Sequence, residues 1–213
     1  MTIVYIGDSF CAQYANGNIK ARNEHQGTKD YSHIDMAAEI MATQYVCHGY
    51  AGASWWYSYK QFKEWIPDNM DTMGKLTALV FFHTNPGRIN TDRVIFGNSK
   101  EYENYVRHYH STDYNVWAQK QYFRDLGREW PNVKTIHFAC FDIPYMDLLP
   151  GVVYTTPLFD LSVSGVWDGG SSGWDGRNDD PRPNHFGLEG NRRIAESVVS
   201  GICQYKPGQY QLD

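Results

Sequence analysis

Three kinds of side chain, held at strand ends, could together open an acyl bond. Ser9 follows the apolar run Ile3-Val4-Tyr5-Ile6 in the tripeptide Gly7-Asp8-Ser9. A serine just past a strand has its hydroxyl presented where backbone N–H groups point outward. A neutral hydroxyl is a poor nucleophile, so it needs a base within hydrogen-bond reach and donors for the developing oxyanion. The polar segments Gly49-Tyr50-Ala51-Gly52 and His83-Thr84-Asn85, with His185 near the end of the chain, are the candidates to supply both.

Positioning those groups requires a particular order of elements. Residues 2–6 read as a buried strand, 31–43 as an amphipathic helix, 44–47 as a strand and 57–66 as a helix ending before Pro67. Residues 76–82, Leu-Thr-Ala-Leu-Val-Phe-Phe, form the strongest strand signal; one or two helices fall within 99–130, a strand at 133–138 and a closing helix at 187–204. Between Ala139 and Asn184 the chain is rich in Gly, Pro, Ser and Asp and reads as irregular. Strands alternating with helices predict a parallel sheet covered on both sides, with the ligand site along the rim of strand C-termini. The expected architecture is a single α/β domain over 1–213, a three-layer α/β/α sandwich with a mostly parallel central sheet and a Gly/Ser/Trp-rich loop or lid at about 161–184.

Composition narrows the classes. With 213 residues, 42% hydrophobic and 20% charged, the chain has the make-up of a soluble globule. A net charge of −5 gives no general attraction to nucleic acid, and no segment reaches the length of a membrane-spanning helix. The first residues lack a basic, apolar leader, so a cytoplasmic protein is expected. Cys11, Cys47, Cys140 and Cys203 are widely spaced without a CxxC pair, which predicts reduced, mostly buried thiols. His108-Tyr109-His110 with Asp113 offers metal-binding types, but residues two apart on a helix diverge, so a solvated face is expected. Aromatic residues are plentiful, with 7 Trp and 16 Tyr, and part of them should line a groove. Trp55-Trp56 follows Gly52 closely, and Trp167-Asp168-Gly169 recurs as Trp174-Asp175-Gly176 in the suspected lid.

The order of these segments resembles the SGNH hydrolase superfamily, the GDSL-type esterases and lipases. Gly7-Asp8-Ser9 matches the first block in sequence and position. Cys47-His48-Gly49-Tyr50-Ala51-Gly52 matches the spacing of the second, with Cys47 where the family has Asn; His83-Thr84-Asn85-Pro86 matches the third at Asn85; Asn184-His185 through Gly190 matches the last. The resemblance implies the flavodoxin-like SGNH fold and an ester hydrolase with Ser9 as nucleophile and His185 as base. The N–H groups of Ser9 and Gly52 with the amide of Asn85 would form the oxyanion hole, and no metal or organic cofactor would be needed. The family's acid lies three residues before the histidine, where this chain has Arg182. Asp180, Asp179 or a main-chain carbonyl in a Ser-His dyad are the alternatives, with Asp180 favoured. Asp8, Trp55, Trp56, His83 and Trp174 are the expected substrate-binding residues.

The expected substrate is a small-molecule or glycan ester, such as an O-acetyl group on a carbohydrate. A ligand-binding module of the same fold, an acyltransferase and a lipid acyl hydrolase are the alternatives, the first prompted by the departures at Arg182, His83 and Pro86. The compact chain is also similar to proteins encoded by bacteriophages.

Overall fold

A computed structural model describes residues 1–8, 10–11, 32–49, 53–88, 111–129, 132–163 and 188–204. Five strands form one all-parallel sheet: β1 (Thr2–Gly7), β2 (Gln44–Gly49), β3 (Leu76–His83), β4 (Lys134–Ala139) and β5 (Val152–Tyr154), in the order β2-β1-β3-β4-β5. Around it lie α1 (His33–Ile40), α2 (Trp55–Lys60), α3 (Ile66–Met73), α4 (Thr112–Glu129), α5 (Leu158–Val163) and α6 (Leu188–Gln204). The expected α/β sandwich with a parallel sheet is therefore the one observed.

The central strand β1 and the 78–82 stretch of β3 are apolar because both faces are covered. All six residues of β1 are buried. Ile3 and Tyr5 face a core shared with Val80, Phe82 and Phe138 and with Ile34 of α1 and Ile194, Val198 and Ile202 of α6. Val4 and Ile6 face the opposite core, built with Leu79, Phe81, Phe62, Ile66 and, from α4, Phe123 and Leu126. The period of two thus splits each strand between two layers of helices.

Local signals set the helix starts. Ser32 Oγ accepts the Asp35 N–H at 3.2 Å and donates to the Asp35 carboxylate at 2.7 Å, opening α1. Ser54 Oγ accepts the Tyr57 N–H at 3.5 Å, so α2 opens soon after position 52. Pro67 does not end this helical run. A π-turn, Gln61–Trp65, links α2 to α3, and the N–H of Ile66 reaches back to the carbonyl of Gln61. A proline ring ordinarily meets the carbonyl four residues back, and the wider turn ahead of it relieves that contact.

The irregular reading of 139–184 also needs correction. It contains a short 3₁₀ turn, Met146–Leu148, then β5 and α5. Gly151 has a positive φ of 80°, and a Cβ there would lie 2.2 Å from the Thr135 carbonyl oxygen, so only glycine lets the chain enter β5 this close to β4. Residues 164–187, which include most of the suspected lid and both Trp-Asp-Gly repeats, lie outside the described residues, as do His108 and His110.

Candidate active site

In a parallel sheet of this order the connections from β1 and β3 leave in opposite directions, opening a crevice beyond their C-terminal ends. The segments Gly7-Asp8 and His83-Thr84-Asn85 leave the sheet there. Gly7 pairs with Phe82, and a Cβ on Gly7 would fall 2.6 Å from both the Phe82 Cβ and its carbonyl oxygen. The glycine of the Gly-Asp-Ser tripeptide is thus what allows β1 to run this close to β3 at the mouth of the site.

Asp8 is completely buried. Its Oδ1 accepts the Phe10 N–H at 3.0 Å and the Cys140 thiol at 3.4 Å, while Oδ2 lies 3.3 Å from Arg88 Nη1. The Arg88 contact is an ion pair rather than a hydrogen bond, since neither atom has a hydrogen-bond partner. Burial pushes the Asp8 carboxyl above its ordinary range, opposed by the Arg88 charge and by the bonds from Phe10 and Cys140. Arg88 also lies over the Phe141 ring, 4.8 Å from its centroid. One carboxylate therefore joins the segments that leave β1, β3 and β4.

Asn85 is exposed on a tight turn. Its Oδ1 accepts the Gly87 N–H at 2.7 Å, and its carbonyl accepts the Arg88 N–H at 3.1 Å. With the amide oxygen engaged, the side-chain nitrogen is the end that can donate to a ligand. The preceding carbonyl, that of Thr84, accepts from Gln119 Nε2 at 2.9 Å, and Gln119 Oε1 accepts from the Tyr145 hydroxyl at 2.6 Å. Gln119 is wholly buried on α4, so this chain of bonds anchors the turn from beneath.

Two residues expected to face substrate do not. Asp8 offers no surface, and its oxygens serve the protein. His83 is 2% exposed and points into the α4 side of the sheet, stacked on Phe81 and 4.5 Å from the Phe123 ring centroid. Its Nε2 lies 2.9 Å from Nδ1 of buried His137. Burial and the neighbouring ring lower the His83 pKa well below its ordinary value, and burial takes His137 to about 3. Trp55 is buried, whereas Trp56 is 44% exposed and lies against Tyr59 with ring centroids 5.4 Å apart. Ser9, Gly52, Trp174, Asp179, Asp180 and His185 lie outside the described residues.

Sequence reasoning missed Arg88 and Gln119. A signal for Gln119 was present: residues 119, 122, 123 and 126 share one face of α4, and three of them are Tyr122, Phe123 and Leu126. An amide in such an apolar stripe needs partners, and it has them.

No protein-family model matches the chain, and no curated protein matches it in sequence. Solved structures do. A lipase/acylhydrolase from Enterococcus faecalis is 15% identical over 98% of this chain and 99% of that one, with a TM-score of 0.50. A protein of the G-D-S-L lipolytic family from Desulfitobacterium hafniense is 11% identical over 94% and 98%, with a TM-score of 0.48. A psychrotrophic esterase from Pseudoalteromonas sp. is 10% identical over 95% and 97%, with a TM-score of 0.46. The strand order, the Gly7-Asp8 exit from β1 and the nearly full-length match to the Enterococcus enzyme agree, and the chain has the fold of the SGNH, or GDSL-type, hydrolases.

Proposed function

We propose that this protein is a serine ester hydrolase acting on a small acyl group, with an O-acetylated carbohydrate as its substrate class. The observation that carries the reading is the Asp8–Arg88 pair. It ties the segment adjoining Ser9 to the turn bearing Asn85, at the crevice where this sheet order puts ligands. The N-terminal end of α6 supports the last partner. Lys134, the first residue of β4, donates to the Ile202 carbonyl near the end of α6, so α6 begins at the opposite rim, where the strands end. His185 precedes Leu188 by three residues.

In this reading His185 takes the Ser9 proton as the serine oxygen attacks the ester carbonyl. The N–H groups of Ser9 and Gly52 and the Asn85 amide hold the tetrahedral oxyanion. His185, oriented by Asp180, then protonates the departing alcohol, and water repeats the cycle on the acyl-enzyme. Trp56 and Trp174 offer ring faces to a sugar.

Intact mass after exposure to a fluorophosphonate tests the serine without a substrate guess. Wild type gains one adduct, and Ser9→Ala and His185→Ala gain none. Folded wild type left unlabelled beside a reactive control esterase refutes the reading and leaves the ligand-binding alternative.

A further inference from the structure

Three of the four thiols gather around the segment that leaves β1. Cys47, on β2, donates from Sγ to the Cys11 carbonyl at 2.9 Å. Cys11 Sγ contacts the Asp8 carbonyl at 3.5 Å, and Cys140 Sγ reaches the Asp8 carboxylate at 3.4 Å. The Cys47 thiol, held against the Cys11 backbone, also pushes the Cys11 thiol pKa up. The two cysteines join the exits of β1 and β2, the strands that lead to Ser9 and Gly52.

We propose that Cys11 and Cys47 form a reversible disulfide that disables the site by shifting the segment 8–11. The effect on Ser9 rests on the hydrolase reading above; the bond itself does not. Cys47 is half-buried, the more accessible of the two, with the Gly49 N–H pointing at its sulfur at 3.4 Å, so it reacts first. Cys11 is 1% exposed, and burial raises its thiol well above the ordinary value, so it acts second.

A low-molecular-weight disulfide such as oxidised glutathione supplies the oxidising equivalents. The Cys47 thiolate attacks one of its sulfurs and expels a glutathione thiolate, leaving a mixed disulfide. The Cys11 thiolate then attacks Cys47 Sγ, forms the internal S–S bond and expels the second glutathione thiolate. The two protein thiol protons leave with the two reduced glutathiones. To form that bond Cys11 Sγ gives up its contact with the Asp8 carbonyl, and the segment holding Ser9 moves with it.

The test uses the Cys203→Ser protein, which removes the exposed thiol. It is equilibrated in glutathione redox buffers, quenched with N-ethylmaleimide under denaturing conditions, and mapped without reduction. The expected product is a Cys11–Cys47 cross-linked peptide, with Cys140 still alkylated and the cross-link lost on adding dithiothreitol. Recovery of Cys11 and Cys47 both alkylated, or Cys47 carrying glutathione alone at every buffer ratio, overturns the disulfide. Fluorophosphonate labelling is then timed on the oxidised and re-reduced forms. Slowing on the order of 10- to 100-fold in the oxidised form is expected for a displaced nucleophile. Equal rates overturn the disabling effect. A cross-link in a protein that never labels when reduced refutes the hydrolase reading, and with it the disabling effect, while the disulfide stands.

Discussion

Gln119 Nε2 donates to the carbonyl of Thr84, one residue before Asn85, and so a helix on one face of the sheet holds the turn at its rim. Gln119→Leu removes that donor and also strands the Tyr145 hydroxyl, which bonds Gln119 Oε1. Each unsatisfied buried group costs about 1–3 kcal/mol, so the urea midpoint should drop clearly. The labelling rate of Ser9 by a fluorophosphonate, measured well below that midpoint, should fall as well, because the turn carrying Asn85 loses its anchor.

Arg88→Met should expose how costly the Asp8 carboxylate is. Removing one partner of a buried ion pair costs about 3–5 kcal/mol when the other stays charged. Arg88 is 27% exposed, so solvent already weakens the pair and the lower end is expected. Burial holds the Asp8 pKa above its unfolded value, and losing Arg88 raises it further. A raised carboxyl destabilises at high pH and ceases to do so as pH falls through the folded pKa. The stability gap between Arg88→Met and wild type should therefore be wider at pH 8 than at pH 5, measured by urea unfolding.

The buried histidines predict acid sensitivity. Burial lowers His33 to about 4 despite its Asn191 contact, His137 to about 3, and His83 well below its ordinary value. Each must be neutral in the folded state while the unfolded chain protonates near pH 6.5. Their contribution is complete above that pH and is lost as pH falls through it toward the folded values, by about 1 kcal/mol per histidine between pH 6 and pH 5. His33→Gln should flatten the pH dependence of the urea midpoint in that range by one histidine's share. An unchanged slope would mean that His33 titrates normally.

Gly7→Ala should act on the fold and the site together. The added Cβ would meet Phe82 Cβ and its carbonyl oxygen at 2.6 Å, and both are fixed in neighbouring β3. About 3 kcal/mol is expected, the upper end for overpacking, since neither contact is the movable tip of a side chain. Thermal unfolding beside Gly74→Ala separates this crowding from a loss of backbone freedom, because Gly74 has a positive φ and nothing near its absent Cβ.

Much of the scaffold was legible because parallel strands are continuously apolar: 2–6 and 76–82 stand out in sequence and became β1 and β3. β5 was hidden by its size, three residues entered through Gly151, in a stretch dominated by turn formers. The run through Pro67 was hidden because a π-turn leaves no signature in residue type. At the site the strand ends were legible and the side-chain directions were not. Ending β3 at Phe82 left His83 as a loop residue at the rim. One further residue of strand puts it on the same face as Phe81, inside the core. Asp8 was legible as a polar residue beside Ser9, but its inward direction depends on Arg88, 80 residues further on and contributing no recognisable pattern of its own.

The order β2-β1-β3-β4-β5 also bears on how the chain is made. Its first strand is an interior one, bonded on both sides, and both neighbours are synthesised later. On the ribosome, Ile3-Val4-Tyr5-Ile6 emerges before its β3 partner, which begins at Leu76 and follows only after several seconds at about 5–20 residues per second. During that interval an apolar β-forming segment is without its sheet, and nascent-chain chaperones would find their target there.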